Sequence, residues 1–162
     1  MASYGSSWFH DGQLFAKLPD ATAVYDIEQE TGPLEDLPHV DWAWDEPLLH
    51  FLCELKDMES PWALEDVDGI ETKIKQLADR QYLSYLARKA HHTGIQHAPS
   101  KRSPRVYVVV MAIEQLNAAV FDTAEQGMIR ALGEMGEIVP TIVVNIDRWN
   151  KKLGPRTLER AQ

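Results

Sequence analysis

The run PRVYVVVMAI, residues 104–113, constrains the fold of this chain more than any other stretch. It is β-branched and apolar on every side, as a strand buried on both faces is. Ser103-Pro104 before it instead reads as a helix cap followed by a first-turn proline. A helical stripe also runs on through Val106, Val110, Ile113, Leu116, Val120, Ala124, Met128, Leu132 and Met135. Beyond Ile113 a helix is expected either way, closed by Gly133 and Gly136. The segment TIVVNIDRWNKKLG repeats the ambiguity: Ile142, Val144 and Ile146 alternate as in a strand, whereas Ile142, Ile146, Trp149 and Leu153 fit a helix. If both runs are strands, residues 105–147 form a strand–helix–strand unit with parallel strands. If both are helices, the chain is an all-α bundle of about four helices. The reading taken is α+β: a helix-rich single domain with an extended N-terminal arm and little sheet, the all-α bundle being its alternative.

Residues 1–45 form the arm. Asp11-Gly12 lies between two short apolar runs and suits a tight hairpin turn. TAVYDIE, residues 22–28, alternates like a strand, and the stretch that follows is rich in proline and glycine without a sustained period. The core domain is expected over 46–154. Within it DEPLLHFLCELKDM, residues 45–58, reads as a helix capped by Asp45, with Leu48, Leu52 and Leu55 on one face. A second helix is expected from Ile70 to about His92, with Gly94 ending it. Residues 155–162 read as a polar tail.

Charge is divided along the chain. Residues 1–72 carry 17 acidic and two basic side chains, residues 73–105 carry eight basic and one acidic, and the whole chain is −9. Opposed blocks of this kind attract, within one molecule or between neighbours. The single cysteine, Cys53, excludes a disulfide within the chain and a cysteine-based zinc site. The start MASYGSSWFHDG has neither the basic region nor the apolar core of a signal peptide, and no apolar run is long enough for a membrane helix. A cytoplasmic protein, or a component of an intracellularly assembled particle, is expected.

Catalytic signatures are absent: no glycine-rich phosphate loop, GxSxG or HExxH occurs. Acidic pairs such as Asp45-Glu46 do not by themselves reveal the unequal environments that acid–base chemistry requires. The expected function is therefore non-enzymatic: a structural or interaction subunit of a multi-subunit assembly, with no cofactor and other protein chains as partners. Its aromatic acidic arm would dock through Trp8, Phe9, Phe15, Trp42 and Trp44 onto a basic surface of Arg88, Lys89, Lys101, Arg102 and Arg105. One alternative is a small metal-dependent enzyme or accessory enzyme subunit whose ligands come from His39, Asp41, Asp45, His50, His91, His92 and His97. The five-residue spacing of His92 and His97 would suit half a zinc site. Another alternative is nucleic-acid binding by the basic middle, with Tyr82, Tyr85 and Tyr107 to stack on bases, or mimicry of nucleic acid by the acidic half. An isoelectric point near 5.1 weighs against nucleic acid as a partner.

Overall fold

Both ambiguous runs are strands in the computed structural model, which describes residues 7–28, 38–59, 72, 74–97, 104–114 and 117–161, the side chains of 95–97 excepted. Among the described residues the strands are β1 (Trp8–Asp11), β2 (Leu14–Lys17), β3 (Ala23–Asp26), β4 (Trp42–Asp45), β5 (His50–Asp57), β6 (Arg105–Ala112), β7 (Thr141–Val144) and β8 (Thr157–Arg160). The helices of seven or more residues are α1 (Arg80–His97), α2 (Ala118–Glu134) and α3 (Ile146–Lys152). This is a mixed α+β chain with two sheets. The helix-rich reading with little sheet is corrected, and so is the all-α bundle.

The larger sheet has the order β3-β4-β5-β6-β7. β3, β4 and β5 form an antiparallel meander, and β5, β6 and β7 are parallel, joined by α1 and α2. The strand–helix–strand alternative for 105–147 is therefore the one realised. β6 shows why its period misled: Tyr107, Val109 and Met111 pack under the helices, while Val108, Val110 and Ala112 pack on the other face. A strand buried on both faces has no polar side to mark its period.

The expected helix over 45–58 is likewise a turn and a strand. Glu46 N–H donates to Leu49 C=O at 2.8 Å, closing the β4–β5 turn. Leu48, expected on the helical face with Leu52 and Leu55, is 79% exposed in that turn. Along β5, Phe51, Cys53 and Leu55 face one core and Leu52 the other.

The smaller sheet, β1-β2-β8, is antiparallel throughout. The Asp11-Gly12 hairpin is present: Asp11 pairs with Leu14, and Gly12 has φ 58° with no other residue of the turn at positive φ. That is the pattern of a two-residue turn with glycine first. The inner face of this sheet, with α3, covers the larger sheet on the side away from α1 and α2, burying Phe9, Leu14, Ala16, Leu18 and Leu158 against Trp42, Trp44, Phe51, Val108 and Val110. The result is three layers: two helices, a five-stranded sheet, and a small sheet with a short helix. Residues 1–45 thus contribute β1 to β4, and the segment read as a polar tail contains β8.

Helix ends follow their chemistry. Asn117 caps α2 by accepting from Ala119 N–H at 2.8 Å. Gly136, at φ 81°, and Glu137 close its C-terminus with bonds to Gly133 C=O and Leu132 C=O. Gly94 does not end α1, which continues to His97. It is buried inside the helix instead, and a Cβ there would lie 1.9 Å from Arg105 Nη1.

Candidate functional site: a buried acid pair under a cationic helix

Glu54 lies in the middle of β5, on the face turned toward α1, and is wholly buried. Strand register brings it beside Asp41, the residue immediately before β4. Asp41 N–H donates to Cys53 C=O at 3.1 Å, and Asp41 Oδ2 accepts from Leu55 N–H at 2.8 Å. The backbone bonds fix the Asp41 carboxyl against β5, within hydrogen-bonding reach of Glu54. Burial, the bond to Glu54 and the charge of Glu54 push Asp41 up to about 8, against the opposing pull of Leu55 N–H and Lys89. Two carboxyl groups so placed do not both ionise unless a cation joins them.

α1 supplies the counter-charge. Lys89 pairs with Glu54 Oε2, and both side chains are withdrawn from solvent. Burial alone would lower the lysine, but the attraction of Glu54 prevails and raises it. Among the described residues no N–H reaches the other oxygen, Glu54 Oε1. Around the pair stand Tyr82 and Tyr107, both raised by burial and then by the Glu54 charge. Tyr107 Oη donates to Leu86 C=O at 3.0 Å. The Tyr85 ring lies at the edge, with Lys89 Nζ 5.2 Å and Arg88 Cζ 5.9 Å from its centroid. Thr93 braces the arrangement: its hydroxyl donates to Lys89 C=O at 2.7 Å and accepts from Val40 N–H at 3.0 Å. It thereby ties the helical turn bearing Lys89 to the segment that leads into Asp41. Lys56, two residues beyond Glu54, lies on the same face of β5. In its 18 residues α1 has Arg80, Arg88 and Lys89 and no acidic residue.

The residues expected to form an interface are dispersed. Phe9, Trp42 and Trp44 are buried in the chain's own core, on the sheet face opposite α1. Phe9 stacks on Trp42 at 4.7 Å, and Trp42 Nε1 donates to Asp11 Oδ2 at 3.0 Å. Trp8 and Phe15 stack at 5.6 Å on the outer face of the small sheet, where Trp8 is 39% exposed. Arg88 is exposed, Lys89 is committed to Glu54, and Arg105 lies 3.8 Å from Glu137. Lys101 and Arg102 fall outside the described residues.

The expected metal ligands are divided too. His50 Nδ1 bonds Asp45 Oδ1 at 2.5 Å, and Asp45 Oδ2 accepts from Tyr25 Oη at 2.7 Å. His91 pairs with Glu137 at 2.9 Å. His92 is lowered by burial and then by the charges of His91 and His39. The His97 side chain is outside the described residues. Among the described residues, no three His, Cys, Asp or Glu side chains converge to hold a metal ion.

Asp41 was named in the sequence as a ligand candidate; Glu54 and Lys56 were not. A signal for Glu54 existed, because a carboxylate inside the apolar run HFLCEL must find a partner if that run is a central strand. Reading the run as an amphipathic helix hid it. Comparison with protein-family models, curated proteins and solved structures returned no match to this chain.

Proposed function

We propose that this protein is a divalent-metal-dependent phosphodiesterase acting on nucleic acid, with Asp41 and Glu54 as metal ligands and Lys56 as the adjoining catalytic cation. The observation that carries the reading is the meeting of the two carboxyls beneath a helix free of acidic residues. A close acid pair serves few chemistries. Glycoside hydrolysis needs its two carboxyls roughly 5–9.5 Å apart, with the sugar or a water between them. A proton-sharing dyad for peptide cleavage works without an ammonium bound to one member, whereas Lys89 pairs with Glu54. Magnesium, by contrast, is commonly held by one or two carboxylates, with waters and substrate phosphate oxygens completing the shell. Two carboxylates therefore suffice, and a third ligand from the chain is not required. When bound, such a cation polarises a phosphoryl oxygen and lowers the pKa of a bound water. Lys56, on the same strand face as Glu54, would supply the cation that stabilises charge developing on the phosphate.

The acidity of the whole chain does not argue against this substrate. Potential at a site is set by the charges around it. There α1 presents Arg88 and Lys89, and the half-exposed Tyr85 ring offers a base a face to stack on. This reading takes up the metal-dependent alternative and moves it from the imidazoles to the acid pair. The test is cleavage of plasmid, single-stranded DNA and RNA with Mg²⁺ or Mn²⁺, using a chelator as control. Wild type cuts at least one of the three. Glu54→Gln and Lys56→Met, checked for folding, cut roughly 100- to 1,000-fold more slowly. A folded wild type that neither binds Mn²⁺ nor cleaves any of the three overturns the reading.

One observation favours a second reading, an assembly contact. Trp8 stacks between His10 and Phe15, at 5.9 and 5.6 Å, on the outer face of the small sheet, beside a cavity lined by Lys17, Pro19, Pro155 and Thr157. Trp8→Ser with Phe15→Ser lowers the native mass in cell extract if that face holds a partner. An unchanged mass removes this reading.

A further inference from the structure

We propose that Lys89 is a built-in competitor for the metal: its ammonium holds Glu54 in a closed, metal-free form and must withdraw before a divalent cation can bind. This rests on the acid pair being a metal site and concerns its regulation. Three observations carry it. The ammonium already pairs with the carboxylate oxygen a cation would need, and Glu54 is wholly buried, so no second cation reaches that oxygen from solvent while Lys89 stays. The lysine also has somewhere to go. The Tyr85 ring, 40% exposed, already lies under Nζ at 5.2 Å, so the ammonium keeps the ring face as it turns from Glu54 toward water. Finally, Thr93 bonds both Lys89 C=O and Val40 N–H, which fixes the helical turn to the Asp41 segment. The exchange is then a swing of one side chain over a rigid frame, not a movement of α1. Once displaced, Lys89 would join Arg88, the neighbouring exposed cation of α1.

Competition of this kind is reciprocal: whatever Lys89 costs the cation in affinity, the cation returns in freeing Lys89. Two measurements test it. In the first, Mn²⁺ binding is titrated calorimetrically against wild type and Lys89→Met. The variant is expected to bind Mn²⁺ roughly 10- to 100-fold more tightly. In the second, wild type is labelled with an amine-reactive reagent with and without saturating Mn²⁺, and Lys89 is quantified by peptide mass spectrometry. Labelling of Lys89 is expected to increase with Mn²⁺, while that of Lys151 and Lys152 stays constant. If wild type binds Mn²⁺ but folded Lys89→Met binds it no more tightly, the competitor role is overturned and the metal site survives. If neither protein binds Mn²⁺, the metal site itself fails and the competitor role goes with it. Should Lys89→Met not fold, labelling decides alone: Lys89 reactivity unchanged in Mn²⁺-bound wild type overturns the proposal.

Discussion

Asp41 shows how far a single residue can depart from its ordinary behaviour when the backbone holds it in place. Its carboxyl is pushed from 3.8 to about 8 by burial and by Glu54, so the folded protein keeps a proton that the unfolded chain releases. The sign of the consequence follows from proton counting. Between about pH 4 and pH 8 the folded state binds more protons, so this group's contribution to stability is fully present below pH 3.8 and is lost as pH rises through 8. Asp41→Asn removes the dependence but keeps an acceptor for Leu55 N–H and gives Glu54 a donor. In chelator, the variant is expected to gain on wild type between pH 5 and pH 8, by at least about 2–4 °C in melting temperature. Thermal unfolding across that range checks it, and a difference that does not change with pH would refute the shared proton. Added Mg²⁺ is expected to close the gap at pH 8 by stabilising wild type alone. Little of this was visible in the sequence. Asp41 follows His39 and Val40 in a stretch with no period, and only the pairing of β4 with β5 puts it beside Glu54.

At the scale of elements, the chain was legible where one face meets water and opaque where both faces are buried. The hairpin at Gly12, the strand at Ala23–Asp26 and the closure of α2 at Gly136 carry local chemistry, and all three are present. β5 and β6 have apolar side chains on both faces, so their runs fit a helix as well as a strand. Gly94 misled for a different reason, since a glycine inside a helix, with a side chain laid over it, looks the same in sequence as one that ends a helix. Gly127 tests that distinction. It lies within α2, and a Cβ there would lie 2.4 Å from Leu83 Cδ1, on α1. Helix propensity alone gives Gly127→Ala a gain of about 1 kcal/mol. Overpacking costs about 1–3 kcal/mol and is expected to prevail. The urea midpoint should therefore fall. The fall should shrink when Leu83→Ala is the background, because the clash has gone. A midpoint that rises in the wild-type background would show that the helices part without cost.

At the scale of the whole molecule, an ion pair ties the segment before β8 to the turn between β4 and β5. Arg156, just before β8, grips Glu46 with two bonds of 2.5 Å. Trp44 Nε1 donates to the same carboxylate at 3.0 Å, and the guanidinium lies 4.7 Å from the Phe51 ring centroid. Burial works to raise Glu46, but the bonds from Arg156 and Trp44 prevail and hold it below its ordinary value. Its contribution is therefore present at neutral pH and lost on acidification through the carboxylate range. Arg156→Met strands a mostly buried carboxylate, and a loss of about 2–4 kcal/mol in unfolding free energy is expected. A loss under 1 kcal/mol would place this pair with ordinary surface bridges.

The same layer decides what residues 1–45 are for. An extended arm that docks elsewhere can be removed and leave a folded body behind. The structure instead places Phe9, Leu14, Ala16 and Leu18 wholly inside, over Trp42, Trp44 and the far side of β6. Removing residues 1–21 takes away two of the three strands that cover that face. β8 loses its partner β2, and an apolar surface larger than soluble chains usually tolerate is exposed. The shortened chain is expected to lose cooperative thermal unfolding, to bind a hydrophobic dye and to aggregate. If it were monomeric, with a sharp transition and unchanged near-ultraviolet dichroism, the N-terminal strands would be a detachable arm after all. In that case the tryptophans at 42 and 44 would have to find their cover in another molecule.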